Sequence, residues 1–411
     1  MGTTSHFLGA RIGIAGLGLV SPLGDAPDAA WARLIAGESA IGRMSFDGLP
    51  DIPAAQVTID TAQELTKLQL VGTERVSQMA LAAARRAIAD AGLGAWDDPE
   101  RVGLYLGTGM GGAATIDAGY AALARGPRLP PLTVPAGMVN AAAGIVAMHT
   151  DVRGPSSTFA AACSSSAVAF TEAVHALRRG EIDVALVGGA EALLVRGTVA
   201  AWQALRALAP PAEQVERSCR PFAADRNGLV LGEGAAFMVL RREADFKRDG
   251  KAPRAWYAGG AVRTDARHQT QPQVRGQVAA LKAALQDAGL TPAQIGYCNA
   301  HGTATVAGDP VECESLRQLW GDSAKALRVS STKASHGHLL GAAGALEAVW
   351  TVLALQTGIA PPTCSVHALA PDCDGVAHVL GQGEAAPGLQ HAISNSFAFG
   401  GTNVALVFSR A

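Results

Sequence analysis

The sequence predicts an α/β protein made of two like halves, about residues 1–250 and 251–411. Three observations predict it. Strand-like apolar runs alternate with helical patterns along the chain. The order of segments in the first half recurs in the second. Two long helical segments, 163–177 and 341–356, carry almost no charge, which asks for burial between sheet layers. The chain has 411 residues, 49% hydrophobic and 17% charged, so it can bury a large core.

The elements follow in order. "RIGIAGLGLV" (11–20) opens the first half as a strand, and "RAWYAGGAVRTD" (254–265) opens the second. "VSQMALAAARRAIADAGL" (76–93) and "VRGQVAALKAALQDAGL" (274–290) are amphipathic helices stopped by the same four residues. Gly92 and Gly289 stand just past the helix ends, where a left-handed residue closes the last turn. A strand then enters a glycine-rich corner in each half, "VGLYLGTGMGG" (102–112) and "IGYCNAHGTAT" (295–305). "CSSSAVAFTEAVHALRRGEI" (163–182) matches "GAAGALEAVWTVLALQTGIAPP" (341–362): small residues, a long apolar helix, a turn. Each half closes on a hairpin-like pair, "GLVLGEGAAFMVL" (228–240) and "SFAFGGTNVALVF" (396–408). "GTGMGG" (107–112) fits G-x-G-x-x-G, but the residues after it lack a strand bearing an acidic residue about 20 positions on. Its glycines are therefore read as sites of close packing.

Composition removes several function classes. A net charge of −2 gives no basic field for nucleic acid. The apolar run from Ile12 to Val20 is too short to cross a bilayer, so no membrane is expected. "MGTTSH" nearly fits a myristoylation signal but carries His6 where Ser or Thr is needed. The six cysteines are scattered, with no C-x-x-C and no Cys/His zinc spacing, so no metal is expected and a reducing cytoplasm is the expected location.

Chemistry concentrates where strands end and helices begin. Cys163 lies at a helix start, where unpaired N–H groups and the helix dipole favour thiolate, and its alanine and serine neighbours let a carbonyl approach. Cys219, Cys298, Cys313, Cys364 and Cys373 read as small buried hydrophobes. His301 follows a strand and precedes Gly302 and two threonines, a place suited to proton or hydrogen-bond work. His338 stands before a glycine-rich helix start, with Lys333 five residues upstream. His6, His149, His175, His367, His378 and His391 read as structural or surface groups. In "FAFGGTN", Gly400 and Gly401 fit a tight hairpin and could also aim an N–H at an oxyanion.

From "GIAGLGLVSPLG" through "CRPFAADRNGLVLGEGAA" and "NAHGTATVAGDPVE" to "SNSFAFGGTN", nearly the whole chain resembles the β-ketoacyl-acyl carrier protein synthases, condensing enzymes of the thiolase fold. It looks most like the elongating type II class with a Cys-His-His triad. The resemblance implies a thiolase fold with duplicated halves in a layered α-β-α-β-α arrangement. Residues 1–250 then carry the nucleophile and 251–411 the two histidines. It makes Cys163 the nucleophile, His301 and His338 the catalytic histidines, and Lys333 a lysine held by Glu347 or Glu312. Thr303 and Thr305 match threonines that contact the pantetheine arm. Phe399 matches a gate whose N–H joins that of Cys163 in an oxyanion hole, with Gly400 beside it at the substrate. Met110 matches a position lining the acyl pocket. Three departures stand out: Ala304 and Ala398 replace glycines, and "CSSS" replaces Cys, a small residue and Gly. Alanine resists positive φ, so Ala398 is expected to stiffen the gate.

The implied reaction moves an acyl group onto Cys163 and condenses it with malonyl-carrier protein as CO2 leaves. No cofactor is implied, since the phosphopantetheine arrives on the acyl carrier protein. That partner would dock through basic residues near Lys67, Arg128 and Arg206. The resemblance also implies a dimer through "GPSSTFAAAC" (154–163), with a second copy or with a ketosynthase-like relative lacking the cysteine. Alternatives are the catalytic subunit of a ketosynthase/chain-length-factor pair, a non-elongating acyltransferase, or an acyl-binding relative.

Overall fold

The computed structural model describes residues 9–126 and 128–411. "MGTTSH" and His6 lie outside the described residues. Eleven strands form one sheet: β1 Ile12–Val20, β2 Val102–Gly107, β3 Ser156–Phe159, β4 Val184–Glu191, β5 Gly234–Arg242, β6 Ala255–Thr264, β7 Tyr297–Asn299, β8 Arg328–Ser330, β9 Ala377–His378, β10 His391–Phe397 and β11 Thr402–Arg410. Their order is β9-β8-β7-β10-β11-β6-β1-β5-β4-β2-β3. Strands of the first half occupy one side and strands of the second half the other. They meet where β1 pairs with β6, antiparallel, over only three residues, Ile12 to Ile14 against Tyr257 to Ala255. So short a seam lets the two sides fold over one another, which produces two sheet layers from one ladder.

The helices fill the layers. Those of ten residues or more are α1 Arg75–Asp90, α2 Ala113–Arg125, α3 Ala141–Thr150, α4 Ser165–Arg178, α5 Arg196–Leu205, α6 Val274–Ala288, α7 Gly308–Trp320 and α8 Ala343–Thr357. Outermost, α1 covers β1 and β5, and α6 covers β6 and β11. Between the layers lie α4 and α8, which touch each other and strands of both halves. Phe170 of α4 stacks on Tyr257 of β6 at 5.6 Å and meets Phe408 of β11 edge-on at 5.6 Å. Residues Ala343 to Leu355 of α8 are all buried. The segment Leu340–Thr357 has the length and apolarity to cross a membrane, but 89% of it is buried inside the protein. This is the layered α-β-α-β-α arrangement, and it explains why the two central helices lack charge.

Small residues set the layer spacing. A side chain at Gly16 or Gly18 of β1 would meet the α1 backbone, at Ala87 O (2.3 Å) and Ala83 O (2.1 Å). In the other half, Gly259 of β6 meets α6 at Ala288 N (2.4 Å) in the same way. The "GTGMGG" glycines are also packing residues: a Cβ on Gly107 would lie 2.1 Å from Ser166 N at the start of α4.

Two expectations need correction. Only the second half ends in a hairpin, β10 and β11. In the first half, residues 228–240 split. Leu231–Gly232 joins a separate small sheet with Ile41–Met44 and Ile52–Ala55, while β5 pairs with β1 and β4. The counterpart of the β10–β11 hairpin is β4–β5, separated in the chain by α5 and the loops around it. Second, the α-helix after the cysteine begins at Ser165, and Cys163 sits in a preceding 3-10 turn, Ala162–Ser164. The turn forms because Ala162 adopts φ 48°, outside helical space.

Gly107→Ala tests the close packing. It forces backbone apart at the β2–α4 contact and is expected to cost about 3 kcal/mol of stability. Urea denaturation with an unchanged slope measures it, and a loss below about 0.5 kcal/mol would show that the contact yields freely.

Candidate active site

The chain brings Cys163 into place through its three serines. Ser165 Oγ donates to Ala162 O (2.7 Å) and accepts from Ala161 N–H (2.9 Å), while Ser164 Oγ donates to Ala161 O (2.9 Å). Together they hold the elbow that Ala162 strains, a left-handed alanine costing about 1–2 kcal/mol. Ser166 Oγ accepts from Ala345 N–H (2.9 Å) and so joins α4 to α8.

His301 follows β7, and α7 grips its corner. Glu312 accepts from the N–H groups of His301 (2.9 Å) and Gly302 (2.8 Å) and from Asn395 Nδ2 (3.0 Å). Asp309 accepts from Thr303 N–H (3.1 Å) and Phe222 N–H (2.7 Å). Ala304 adopts φ 63°, a region that favours glycine, with its methyl buried. His338 is fixed by its own backbone, with N–H to Val230 O (2.7 Å) and O from Gly232 N–H (2.9 Å). Its Nδ1 accepts from Leu340 N–H (3.3 Å), which puts the ring proton on Nε2. Lys333 is fully buried and paired with Glu347, also fully buried. Glu347 is therefore the lysine's carboxylate, and Glu312 is occupied with the His301 corner.

These corners converge. The reactive atoms of Cys163, His301 and His338 all lie within 4.8 Å of one another. The imidazoles are nearly perpendicular, centroids 5.4 Å apart. His338 Nε2 and His301 Nδ1 are buried without a hydrogen-bond partner among the described residues. The three side chains line a cavity of about 320 Å³ together with Thr303, Thr305 and Phe399, and Arg206 and His268 also border it. The Thr303 and Thr305 hydroxyls are 3.1 Å apart. The N–H of Phe399 is directed at Cys163.

Burial dominates the electrostatics. It pushes the Cys163 thiol up to about 11, against the pull of the Lys333 cation and the Phe399 N–H. The thiolate-favouring helix start expected from sequence is thus outweighed by desolvation. Burial, then Lys333, holds both His301 and His338 well below the ordinary histidine range, so both are neutral. Glu347 rises to about 7 through burial, with Lys333 opposing.

Other expected residues fall elsewhere. Met110 is 46% exposed and does not line the cavity. Its N–H is tied to Glu191 (3.1 Å). Gly400 is also absent from the lining, and its N–H donates to Gln269 O (2.7 Å), while that of Gly401 donates to Ala398 O (3.0 Å). Neither is free for an oxyanion. Ala398 has φ −101° and ψ 156°, ordinary extended backbone, so alanine is unstrained there. Lys67 and Arg128 are exposed and distant from the cavity lining; Arg206 borders it.

Sequence reasoning missed Glu191 and His336. Glu191 is buried and accepts from Thr108 Oγ1 and from the N–H groups of Gly109, Met110 and Gly341. Burial lifts its carboxyl to about 7. The signal was available, since it is the one acid in the apolar run "VALVGGAEALLV". His336 is buried beside Trp350 and hydrogen-bonds Gly337 O (2.8 Å) and Thr332 Oγ1 (3.1 Å). The Cys-His-His set also has the donors to hold a metal ion. Chain spacing could not reveal this, because the three come from separate corners.

Residues 10–245 match the β-ketoacyl synthase N-terminal domain and 254–367 the β-ketoacyl synthase C-terminal domain. The chain is 38% identical to a nodulation protein E of Rhizobium sp. (strain N33), over 97% of this chain and 98% of that one. It is 36% identical to 3-oxoacyl-[acyl-carrier-protein] synthase 2 of Rhizobium meliloti (strain 1021), over 97% and 99%. Among solved structures it is similar to the ishigamide ketosynthase/chain length factor, with TM-score 0.90 and 29% identity over 98% of this chain and 99% of that one.

Two measurements probe these electrostatics. With the Cys163 thiol near 11, iodoacetamide alkylation at that residue, read by mass spectrometry, should rise about tenfold per pH unit from pH 7 to 9. A plateau below pH 8 would mean a stabilised thiolate. Lys333→Met leaves Glu347 buried and alone and should lower stability by about 3–5 kcal/mol, with Lys333→Met/Glu347→Gln recovering most of it. Equal stability of the two variants in denaturant melts would deny the pair that role.

Proposed function

The chain belongs to the β-ketoacyl synthase family and is an acyl-transferring condensing enzyme of fatty acid or polyketide synthesis; we propose that Cys163 carries the acyl group and that His301 and His338 drive the condensation. The observation that carries this reading is the convergence of three side chains, from corners up to 175 residues apart in the chain, on one cavity.

In the proposed sequence the Cys163 sulfur attacks the carrier thioester. Its proton passes to the departing carrier thiolate, and the Phe399 N–H, with that of Cys163, receives the transient oxyanion. Malonyl-carrier protein then enters. As its C–CO2 bond breaks, the electron pair moves onto the thioester as an enolate. His338, donating from Nε2, and His301 stabilise that enolate oxygen. Neutral imidazoles suit this task, because they donate to a growing negative charge without first giving up a proton. The enolate carbon attacks the acyl-Cys163 carbonyl, the C–S bond breaks, the released Cys163 thiolate takes up a proton from water, and the β-ketoacyl chain leaves on its carrier. Lys333 and Glu347 place a compensated charge beneath the site.

No resident cofactor enters this scheme. The phosphopantetheine belongs to the carrier, and the Thr303 and Thr305 hydroxyls are suited to its amides. Arg206 at the cavity border is the basic residue best placed to meet an acidic carrier. We infer the division into residues 1–250, with the nucleophile, and 251–411, with the histidines. Six unpaired cysteines fit a cytoplasmic location.

A dimer is part of the proposal. β3 is an edge strand, and α3 packs beside it. The segment 113–150, whose last helix packs beside β3, carries exposed apolar side chains, with Tyr120 72% and Val134 71% exposed and Met138 and Met148 also exposed. An edge strand with such a border is suited to a partner. The partner is a second copy or a ketosynthase-like chain. The second choice is the reading as catalytic subunit of a pair, favoured by the likeness to a ketosynthase/chain length factor.

His338→Ala is the test. Acyl transfer to Cys163 from a carrier thioester should persist, and malonyl decarboxylation should fall by about 10²-fold or more. Equal loss of both half-reactions would make His338 a structural residue.

A further inference from the structure

Phe399 does not stand alone at the cavity. Its ring stacks on the indole of Trp202, centroids 6.1 Å apart and planes 24° from parallel. Trp202 is half-buried on α5, and with Val199 one turn earlier it packs on the apolar cluster that contains Cys163, Leu340 and Ala398. The two partners differ in freedom. Three bonds anchor α5: Arg196 Nε to Asp47 O (2.9 Å), Gln203 Nε2 to Pro50 O (3.0 Å), and Gly197 N–H to Asp117 Oδ1 (3.0 Å). Phe399, by contrast, is followed by two left-handed glycines, Gly400 (φ 81°) and Gly401 (φ 78°). The Phe399 loop has backbone bonds of its own, Gly400 N–H to Gln269 O (2.7 Å) and Ala398 N–H to Thr402 O (2.9 Å), so the contrast is one of kind: the indole rides on a helix, the phenyl ring on a short glycine turn.

From this geometry we propose that Trp202 is the latch of the Phe399 gate, a positioning residue that sets how readily Cys163 accepts an acyl group. The inference rests on the reading of Cys163 as the acyl carrier. In the resting enzyme the stack holds Phe399 over the cavity, with its N–H toward Cys163. An entering acyl chain must displace the ring, and each displacement breaks the stack. An offset aromatic pair biases such an equilibrium by about two- to tenfold. Ala398 is relaxed in the latched state, so the stack, rather than backbone strain, restrains the gate.

A double-mutant cycle on acylation of Cys163, followed by stopped-flow mixing with an acyl-carrier thioester, tests this. Trp202→Met removes the ring and keeps an apolar side chain. It should speed acylation by about two- to tenfold when Phe399 is present. It should have no effect when Phe399 is already Leu. Trp202→Phe keeps a ring and should stay within about twofold of the parent. No change in the parent background, or the same change in both backgrounds, overturns the latch. Trp202→Leu repeats the cycle if the methionine variant fails to fold. A parent enzyme that takes no acyl group on Cys163 overturns the underlying reading instead, and is distinguished from the uncoupled result by the absence of any acylation.

Discussion

The rest of the molecule depends on how closely two buried helix starts approach one another. α4 and α8 lie face to face between the sheet layers, and their first turns meet almost backbone to backbone. A Cβ on Gly341 would lie 2.1 Å from Gly109 N, and one on Gly189 would lie 2.9 Å from Ala342 Cα. A Cβ on Gly344 would lie 3.1 Å from Ala167 Cβ, and the Ala345–Ser166 hydrogen bond locks the register. Glu191 completes the knot by gripping the Gly109 loop and Gly341 at once. Duplicated halves supply equivalent helix starts, and their contact sets Cys163 just before one and His338 just before the other. A bulkier residue at any of these positions would separate nucleophile and imidazole by more than a hydrogen bond can span.

The same contact excludes water, and desolvation then decides the protonation states. Two imidazoles, one thiol and one lysine share the interior. Charging either imidazole would add a cation near Lys333 in a low dielectric, so both stay neutral. Lys333 is tolerable only because Glu347 is buried against it. The site therefore holds hydrogen-bond donors at rest rather than a stored charge. A chemistry that develops negative charge on a substrate oxygen is the one this arrangement favours.

Much of this was legible in the residues, and the reasons differ by element. Duplication was visible because helix stops and glycine corners recur in order, and α1 and α6 end at left-handed Gly92 and Gly289 as their sequences imply. The convergence of Cys163, His301 and His338 could be anticipated because each sits in a small-residue corner. What could not be read was long-range. Whether Glu347 or Glu312 holds Lys333 depends on which carboxylate the α8 start turns inward. The false hairpin at 228–240 looked real because apolar alternation continues across Gly234, where the chain changes sheets. The Cys163 thiol was misjudged because the helix-start argument is local, whereas burial is a property of both layers. Trp202 gave no signal at all, since its meaning lies in a ring nearly 200 residues away.

Three of the seven left-handed non-glycine residues among the described residues flank the corners of the cavity. Ala162, Ala304 and Leu340 are left-handed without being glycine, and each lies within three residues of Cys163, His301 or His338. Each such residue costs of order 1–3 kcal/mol and persists only where its surroundings over-determine it. Beside them, His301 Nδ1 and His338 Nε2 are buried with no hydrogen-bond partner among the described residues, in a molecule whose other corner groups are claimed by Glu191, Asp309 and Glu312. A buried donor left unpaired costs about 1–3 kcal/mol. A fold optimised only for stability would relax the first set with glycine and fill the second with a carbonyl. The strained residues stand close in sequence to Cys163, His301 and His338, which line one cavity. In the proposed mechanism the enolate oxygen is the partner of His338 Nε2, and the strained Ala162 elbow helps hold the Cys163 sulfur within 4.8 Å of that imidazole.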